Sequence, residues 1–333
     1  MSRAAVLVAR GVFPEVLERL REHFDVDANA DDSVWPAPEL SARLQGKAGV
    51  FTTGSERIDA ALLDAHPQLR AVCNMAVGYN NIDLDACTAR GVLVSNTPDV
   101  LTETTADFGF ALMMATARRI TESEHYLRAG HWTKWSFDMF AGAEVHGATL
   151  GVLGMGRIGQ AIARRGALGF GMRVIYHNRS RLDAATEQQL GARWVDKAEL
   201  LHEADHLVIV VPYSPQSHHL IGASELAQMK PTATLTNIAR GGVADDAALA
   251  AALRDRRIAA AGLDVFEGEP RVHPDLLTVP NVVLTPHIAS ASVATRRAMA
   301  HLAADNLIAA LGCGPQAGHP PTALNPQVLA QRP

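Results

Sequence analysis

Four side chains that follow short apolar runs could carry chemistry in this sequence. They are Arg240 in Asn237-Ile238-Ala239-Arg240-Gly241-Gly242, Asp264 and Glu269 in Gly262-Leu263-Asp264-Val265-Phe266-Glu267-Gly268-Glu269-Pro270, and His287 in Thr285-Pro286-His287-Ile288. Arginine presents a planar, permanently charged fork that grips a carboxylate. Imidazole titrates near working pH and can hand a proton to a carbonyl oxygen. A carboxylate on the other ring nitrogen fixes the ring and favours its charged form. Together these groups suit reduction of a 2-oxo acid, provided a hydride source is held against the carbonyl carbon. Taken singly each has a plainer reading: Arg240 as a surface residue at a helix start, Glu269 as a loop charge, His287 as a capped strand end. Each segment, however, directly follows an expected parallel strand, and the carboxyl ends of such strands face the crevice where open α/β sheets bind ligands. That common placement favours Arg240, Glu269 and His287 as a catalytic trio, with Arg240 and His287 also touching substrate.

The hydride source is announced between residues 149 and 181. Thr149 to Leu153 reads as a buried strand, Gly154, Gly156 and Gly159 spell G-x-G-x-x-G, and Ile158 to Leu168 has helical apolar spacing. Gly154 permits the tight turn, Gly156 lets the backbone approach a pyrophosphate, Gly159 lets helix and strand pack closely, and the helix N-terminus offers N–H groups to the phosphates. Met155, Arg157 and Ile158 complete that turn. Pro212 and Ile238, each just past a later strand, are assigned to the same cofactor surface.

The second strand of this unit, Arg173 to His177, ends where an NAD enzyme would place an acid for the ribose hydroxyls, and here stands Asn178, followed by Arg179, Ser180 and Arg181. An acid would repel a 2′-phosphate and arginine would bind one. The sequence therefore predicts NADPH in preference to NADH, with NADH possible; a solvated basic loop is the plainer alternative.

These residues need elements to position them. At 333 residues the chain exceeds the usual size of one core and suggests two domains. A net charge of −5 argues against general affinity for nucleic acid or an anionic membrane, so anion binding must be local. Cys73, Cys87 and Cys313 are odd in number and fit no metal spacing, which suits reduced thiols, a cytoplasmic location and no metal. No apolar stretch reaches the ~18 residues of a membrane span.

Expected strands at Ala4 to Ala9, Ala48 to Phe51, Ala71 to Asn74 and Val92 to Ser95 alternate with helices at Pro14 to His23, Asp59 to Ala65 and Ile82 to Arg90, the rhythm of a parallel sheet. One long helical region is expected over Thr102 to Arg128. Beyond the glycine turn the rhythm resumes with strands at His206 to Val211, Thr232 to Asn237, Ala259 to Leu263 and Val282 to Leu284. A last helix, Val293 to Leu311, is expected to cross back to the first domain. The fold class is then α/β with two doubly wound parallel-sheet domains: a Rossmann cofactor domain over 100–287, inserted in a flavodoxin-like substrate domain made of 1–99 and 288–333.

With Val77-Gly78 followed by Asn81-Ile82-Asp83, the run Thr97-Pro98 to Ala106-Asp107, and the segments already quoted, nearly the whole chain resembles the D-isomer-specific 2-hydroxyacid dehydrogenases, and most closely their glyoxylate/hydroxypyruvate reductase branch, which includes 2-ketogluconate reductases. The resemblance implies the trio Arg240, Glu269 and His287, Asp264 near the nicotinamide carboxamide, Thr104 on the nicotinamide side, and the backbone N–H groups of Val77 and Gly78 on the substrate carboxylate. It also implies a homodimer whose interface includes Trp132 and Trp135, either of which could reach substrate; plain packing is the alternative. Phe51, opening the loop Phe51 to Gly54, is a further candidate on the substrate side. The expected partner is a small 2-oxo acid: glyoxylate, hydroxypyruvate or 2-ketogluconate. The family's corepressor relatives supply the competing reading, a dinucleotide-responsive protein-binding module with feeble catalysis. Ala289 and Asn178 depart from many relatives, and neither touches the trio.

Overall fold

The computed structural model describes residues 3–331. The chain divides into two compact units, one running to Leu101 and resuming at Ser292, the other spanning Thr102–Ala291.

In the first unit β1 (Ala5–Val8), α1 (Pro14–His23), β2 (Asp25–Ala28), α2 (Ala37–Leu44), β3 (Gly49–Thr52), α3 (Ala60–Ala65), β4 (Ala71–Asn74), α4 (Leu84–Ala89) and β5 (Leu93–Ser95) alternate along the chain. The strands form one parallel sheet in the order β2-β1-β3-β4-β5, the flavodoxin-like order. Its inner strands are buried on both faces, which is why they read as unbroken apolar runs. One face packs Val6, Val8, Phe51 and Cys73 against Ala300, Ala303, Ala304 and Leu307 of the long helix Val293–Ala310. The small side chains let that helix lie close: a Cβ on Gly49 would fall 2.7 Å from Leu307 Cδ1. The other face packs Leu7, Val50 and Val72 against Leu40, Leu44 and Leu63. Asn325 pins the end of the chain to β5, accepting from the Val94 N–H at 2.7 Å and donating to the Val92 carbonyl at 2.9 Å.

Two elements here were not expected from sequence. Strand β2 lies at the sheet edge, where Asp25 and Asp27 face outward and Asp27 pairs with Lys47 at 3.2 Å. Such acids make edge strands hard to read while they discourage edge pairing. Helix α2 is a short amphipathic piece that buries only Leu40 and Leu44.

The second unit opens with α5 (Thr102–Ala117) and α6 (Ile120–Arg128). The expected single helix is interrupted because Arg119 takes a left-handed φ of 52° and turns its guanidinium onto Glu122 at 2.8 Å. There follow β6 (Thr149–Leu153), α7 (Arg157–Arg164), β7 (Arg173–His177), α8 (Ala184–Leu190), β8 (Ala192–Trp194), α9 (Lys197–Glu203), β9 (His206–Ile209), α10 (Ala223–Leu226), β10 (Thr234–Asn237), α11 (Asp246–Arg254), β11 (Ala260–Leu263) and β12 (Val282–Leu284). Their parallel sheet runs β12-β11-β10-β9-β6-β7-β8, so the order reverses at β6/β9, the switch point at which such sheets hold ligands. Helix α5 buries half of its residues and leaves Glu103, Asp107 and Ala111 exposed along one line. It approaches the sheet over Gly262, where a Cβ would lie 2.4 Å from Thr116 Oγ1.

Cys73, Cys87 and Cys313 are free, and burial pushes the thiols of Cys73 and Cys87 up to about 12, leaving both unreactive. Among the described residues no helix is long and apolar enough to cross a membrane.

Candidate active site

The glycine turn joins β6 to α7. Gly154 has φ +103°, and a Cβ there would press within 2.8 Å of the backbone of Val210 and Val211. A Cβ on Gly159 would sit 2.1 Å from the Gly154 carbonyl oxygen, so helix and turn are in direct backbone contact. Gly156 is the exception, with nothing within 4 Å of its added Cβ. It is the N-cap of α7 and makes no side-chain cap hydrogen bond, so the backbone at the helix start is not covered by a capping side chain. This turn fits a dinucleotide pyrophosphate, with Gly156, Arg157 and Ile158 on the open side. Met155 lies beneath it, its side chain in the core and its N–H donated to Asn178 Oδ1 at 2.7 Å.

Past β7, Asn178 thus braces the glycine turn, and its carbonyl accepts from Trp194 Nε1 at 3.1 Å. Arg181, expected to face a 2′-phosphate, is already engaged: it grips Glu187 with Nε at 2.8 Å and Nη2 at 2.6 Å. The same carboxylate accepts the Tyr176 hydroxyl at 2.7 Å. Burial, aided by that carboxylate, pushes the Tyr176 phenol up to about 12, while Arg181 and then Tyr176 hold Glu187 below the usual carboxylate range. Arg179 and Ser180 are exposed and, among the described residues, make no side-chain hydrogen bond. The basic end of β7 therefore splits into one committed arginine and one uncommitted one. Sequence missed this because Glu187 stands six positions from Arg181, across a turn and a helix start.

At the far side of the switch point β10, β11 and β12 deliver the trio. His287 Nδ1 lies 2.8 Å from Glu269 Oε2, and Glu269 Oε1 accepts the Phe266 N–H at 2.9 Å. Burial would raise the Glu269 carboxyl, but the hydrogen bond and charge of His287, the Phe266 N–H and Arg240 together bring it below its ordinary value. His287 itself has φ +53°, and its N–H closes a tight turn on the Thr285 carbonyl at 3.1 Å, which leaves the ring half-exposed.

That turn is clamped by Asp264, which is fully buried. Its Oδ1 accepts from Thr285 Oγ1 at 2.7 Å and the Ile288 N–H at 2.9 Å, and its Oδ2 accepts the Ala289 N–H at 2.8 Å. Burial raises its pKa, and these donors offset part of the rise. Both carboxylate oxygens of Asp264 are thus committed to the backbone and hydroxyl around His287. Arg240 is seated by a similar device: Asn237 Oδ1 accepts the Ala239 N–H at 3.0 Å, and Arg240 Nη1 folds onto the Ala239 carbonyl at 2.7 Å. Burial lowers the Arg240 pKa and the Glu269 charge acts against it. Pro212 is exposed just after β9, Ile238 is buried just after β10, and Thr104 lies half-buried on α5.

In the first unit, Asn96 Nδ2 donates to the Val77 carbonyl at 2.8 Å and Asn74 Nδ2 to the Gly78 carbonyl at 3.0 Å. Both carbonyls are held by side-chain amides, and the N–H groups of Val77 and Gly78 have no protein acceptor among the described residues. Two adjacent unengaged N–H groups form a small anion nest. Phe51 needs correction as a substrate-side candidate. It is the third residue of β3, and strand alternation turns its ring wholly into the core. Trp132 and Trp135 are 55% and 75% exposed on the segment after α6, beside Phe137 at 87%.

Residues 110–289 match the family model for the NAD-binding domain of D-isomer specific 2-hydroxyacid dehydrogenases. The chain is 47% identical over 331 residues to the glyoxylate reductase of Thermococcus onnurineus, spanning 98% of this chain and 97% of that one. Among solved structures it resembles an NADPH-dependent glyoxylate/hydroxypyruvate reductase from Sinorhizobium meliloti in complex with NADP and malonate, at TM-score 0.85, 37% identity and 98% coverage of both chains. It also resembles a glyoxylate reductase from Paecilomyes thermophila, at TM-score 0.86, 31% identity, 98% coverage of this chain and 100% of that one.

Proposed function

Because the chain belongs to the D-isomer specific 2-hydroxyacid dehydrogenases, an oxidoreductase family, we propose that it is an NADPH-preferring reductase of small 2-oxo acids. Glyoxylate and hydroxypyruvate are the first substrates, 2-ketogluconate the next, and the products are D-2-hydroxy acids where the product is chiral. The bound nicotinamide supplies the hydride. The observation that carries the reading is the 2.8 Å contact between His287 Nδ1 and Glu269 Oε2, which commits one ring nitrogen and leaves Nε2 to donate a proton to the carbonyl oxygen as it gains charge. Arg240 binds the substrate carboxylate and stabilises the carbonyl oxygen. The Val77 and Gly78 N–H groups offer a second anion site of the kind a carboxylate takes. Asp264 acts through its clamp on His287, as a positioning residue.

For the cofactor, the turn at Gly154–Gly159 holds the pyrophosphate, and Arg179 with Ser180 takes the 2′-phosphate. Arg181 contributes charge to that surface while it remains paired with Glu187. The exposed apolar side chains Ile120, Leu127, Trp132, Trp135 and Phe137 support a homodimer formed through this segment. The test is loss of nicotinamide absorbance with purified protein, each of the three 2-oxo acids, and NADPH or NADH. Rapid NADPH loss with glyoxylate or hydroxypyruvate, slower with NADH, is expected. No turnover with any pairing would overturn the reductase reading, and a preference for NADH would overturn the cofactor assignment alone.

A further inference from the structure

The segment between β9 and α10 and the loop after β11 bring three metal-ligating side chains together outside the catalytic trio. His218, His219 and Glu267 each offer one donor atom, and these atoms lie within 4.8 Å of one another. No spacing in the chain announces this cluster, because Glu267 lies 48 positions from His219 and the cysteines fit no metal pattern. The local backbone creates the pair of imidazoles. Neighbouring residues on extended chain point to opposite sides. His219, however, takes a left-handed φ of 50°, and its ring stacks on that of His218 with centroids 3.9 Å apart and planes at 24°. Its N–H bonds the Gly242 carbonyl at 2.7 Å and the His218 N–H bonds the Ser214 carbonyl at 3.1 Å, so the turn is held from both sides.

Each ring also has a polar group on its Nδ1 side. The Tyr213 hydroxyl lies 3.2 Å from His218 Nδ1, and Asp245 Oδ2 lies 3.7 Å from His219 Nδ1. A hydroxyl or carboxylate there orients a histidine whose other nitrogen binds a metal. His219 Nε2 already faces Glu267 Oε2 at 2.9 Å, and Nε2 is the nitrogen of His218 that Tyr213 leaves open. Glu267 is steadied from its backbone, its N–H donating to Asp246 Oδ2 at 3.0 Å.

We propose that His218, His219 and Glu267 form a binding site for a borderline divalent cation of the zinc class, with water completing the shell. Two imidazoles and one carboxylate are a donor set such ions favour over calcium or magnesium, which prefer all-oxygen sites. Closing a tetrahedral shell requires the three donors to draw in to separations of roughly 3.4 Å. Partly exposed side chains reach this by small rotations. The ion ties the segment before α10 to the loop that carries Glu269, two residues further along.

The experiment uses the full chain without cofactor or substrate, so its result is independent of the reductase reading. Zinc is titrated in competition with a chromophoric chelator, and cobalt(II) is followed by its visible absorption. The wild-type chain is expected to take up one equivalent of zinc that Glu267→Gln and His218→Ala each bind at least about tenfold more weakly. Uptake by His202→Ala, which alters an exposed histidine elsewhere, is expected to be unchanged. Glu267→Gln keeps a hydrogen-bonding group opposite His219, and a wild-type Tm for it separates lost binding from lost folding. Equal uptake by all four chains, or none by the wild type, would overturn the site.

Discussion

The imidazole of His287 has one nitrogen committed to Glu269, an asymmetry that suits the proposed role of directional proton donor. Its removal in His287→Ala is expected to lower kcat by about 10²- to 10⁴-fold with cofactor affinity nearly intact; a wild-type kcat would remove the role. In the proposed reaction reduction takes up a proton and oxidation releases one, so reduction should fall and oxidation rise as pH increases. Glu269, held below its ordinary range, stays anionic across that change. A second expectation concerns the two arginines past β7. Arg179→Ala should raise KM for NADPH about tenfold or more, since a charge-assisted bond is lost, and leave KM for NADH unchanged. Arg181→Ala strands the Glu187 charge and should lower Tm more than it weakens NADPH binding. The opposite ranking would make Arg181 the phosphate ligand. At this scale the placement of Arg240, Glu269 and His287 in the loops after β10, β11 and β12 was legible from the strand rhythm, and the structure brings His287 and Glu269 into contact. The commitment of Arg181 to Glu187 and of Asp264 to the His287 turn was not, because each depends on contacts between segments that carry no fixed spacing.

Helix α7 offers a test that separates shape from binding. Gly159→Ala forces a Cβ to within 2.1 Å of the Gly154 carbonyl and should cost about 1–3 kcal/mol of stability. Gly156→Ala meets nothing within 4 Å and should leave Tm almost unchanged while it abolishes tight dinucleotide binding. If both variants bind cofactor normally, the pyrophosphate lies elsewhere. Helices α9 and α10 are joined by Lys197 and Glu225 at 2.9 Å. Burial would raise the Glu225 carboxyl, but Lys197, Ser224 and the Gly222 N–H bring it down from 4.5 to about 2. A carboxyl depressed in the folded state stabilises above its unfolded pKa and loses that contribution as pH falls. The Tm gap between wild type and Glu225→Gln should be widest above pH 4.5 and close as pH falls toward 2. A gap independent of pH would show that the ion pair is not the cause. Elements with unbroken apolar runs or strong caps were legible from sequence. Strand β8 was missed because it is a short edge strand, Ala192-Arg193-Trp194, that buries only Ala192, and the break at Arg119 because it comes from one residue's backbone angle.

Across the whole molecule, the two parallel sheets were implicit in the strand and helix rhythm, whereas the edge strand β2 with its two acids was not. Association with a second copy is the remaining expectation at this scale. Ile120, Leu127, Trp132, Trp135 and Phe137 are each more than half exposed, and exposed apolar side chains grouped in one segment favour association. Light scattering should give twice the chain mass for the wild type and a monomer for Trp135→Glu combined with Phe137→Glu; a monomeric wild type would end the expectation. The long helix Val293–Ala310 has a consequence of another kind. The first unit lacks one layer of its core until that helix and Asn325 are in place, and both come from the far end of the chain. During translation the strands made earliest must wait through nearly two hundred further residues for their last partner, while the intervening unit has all its parts at hand. A message truncated just before codon 293, once the intervening unit is finished, therefore yields one complete unit and one with an open apolar face, a product made for chaperones and proteases.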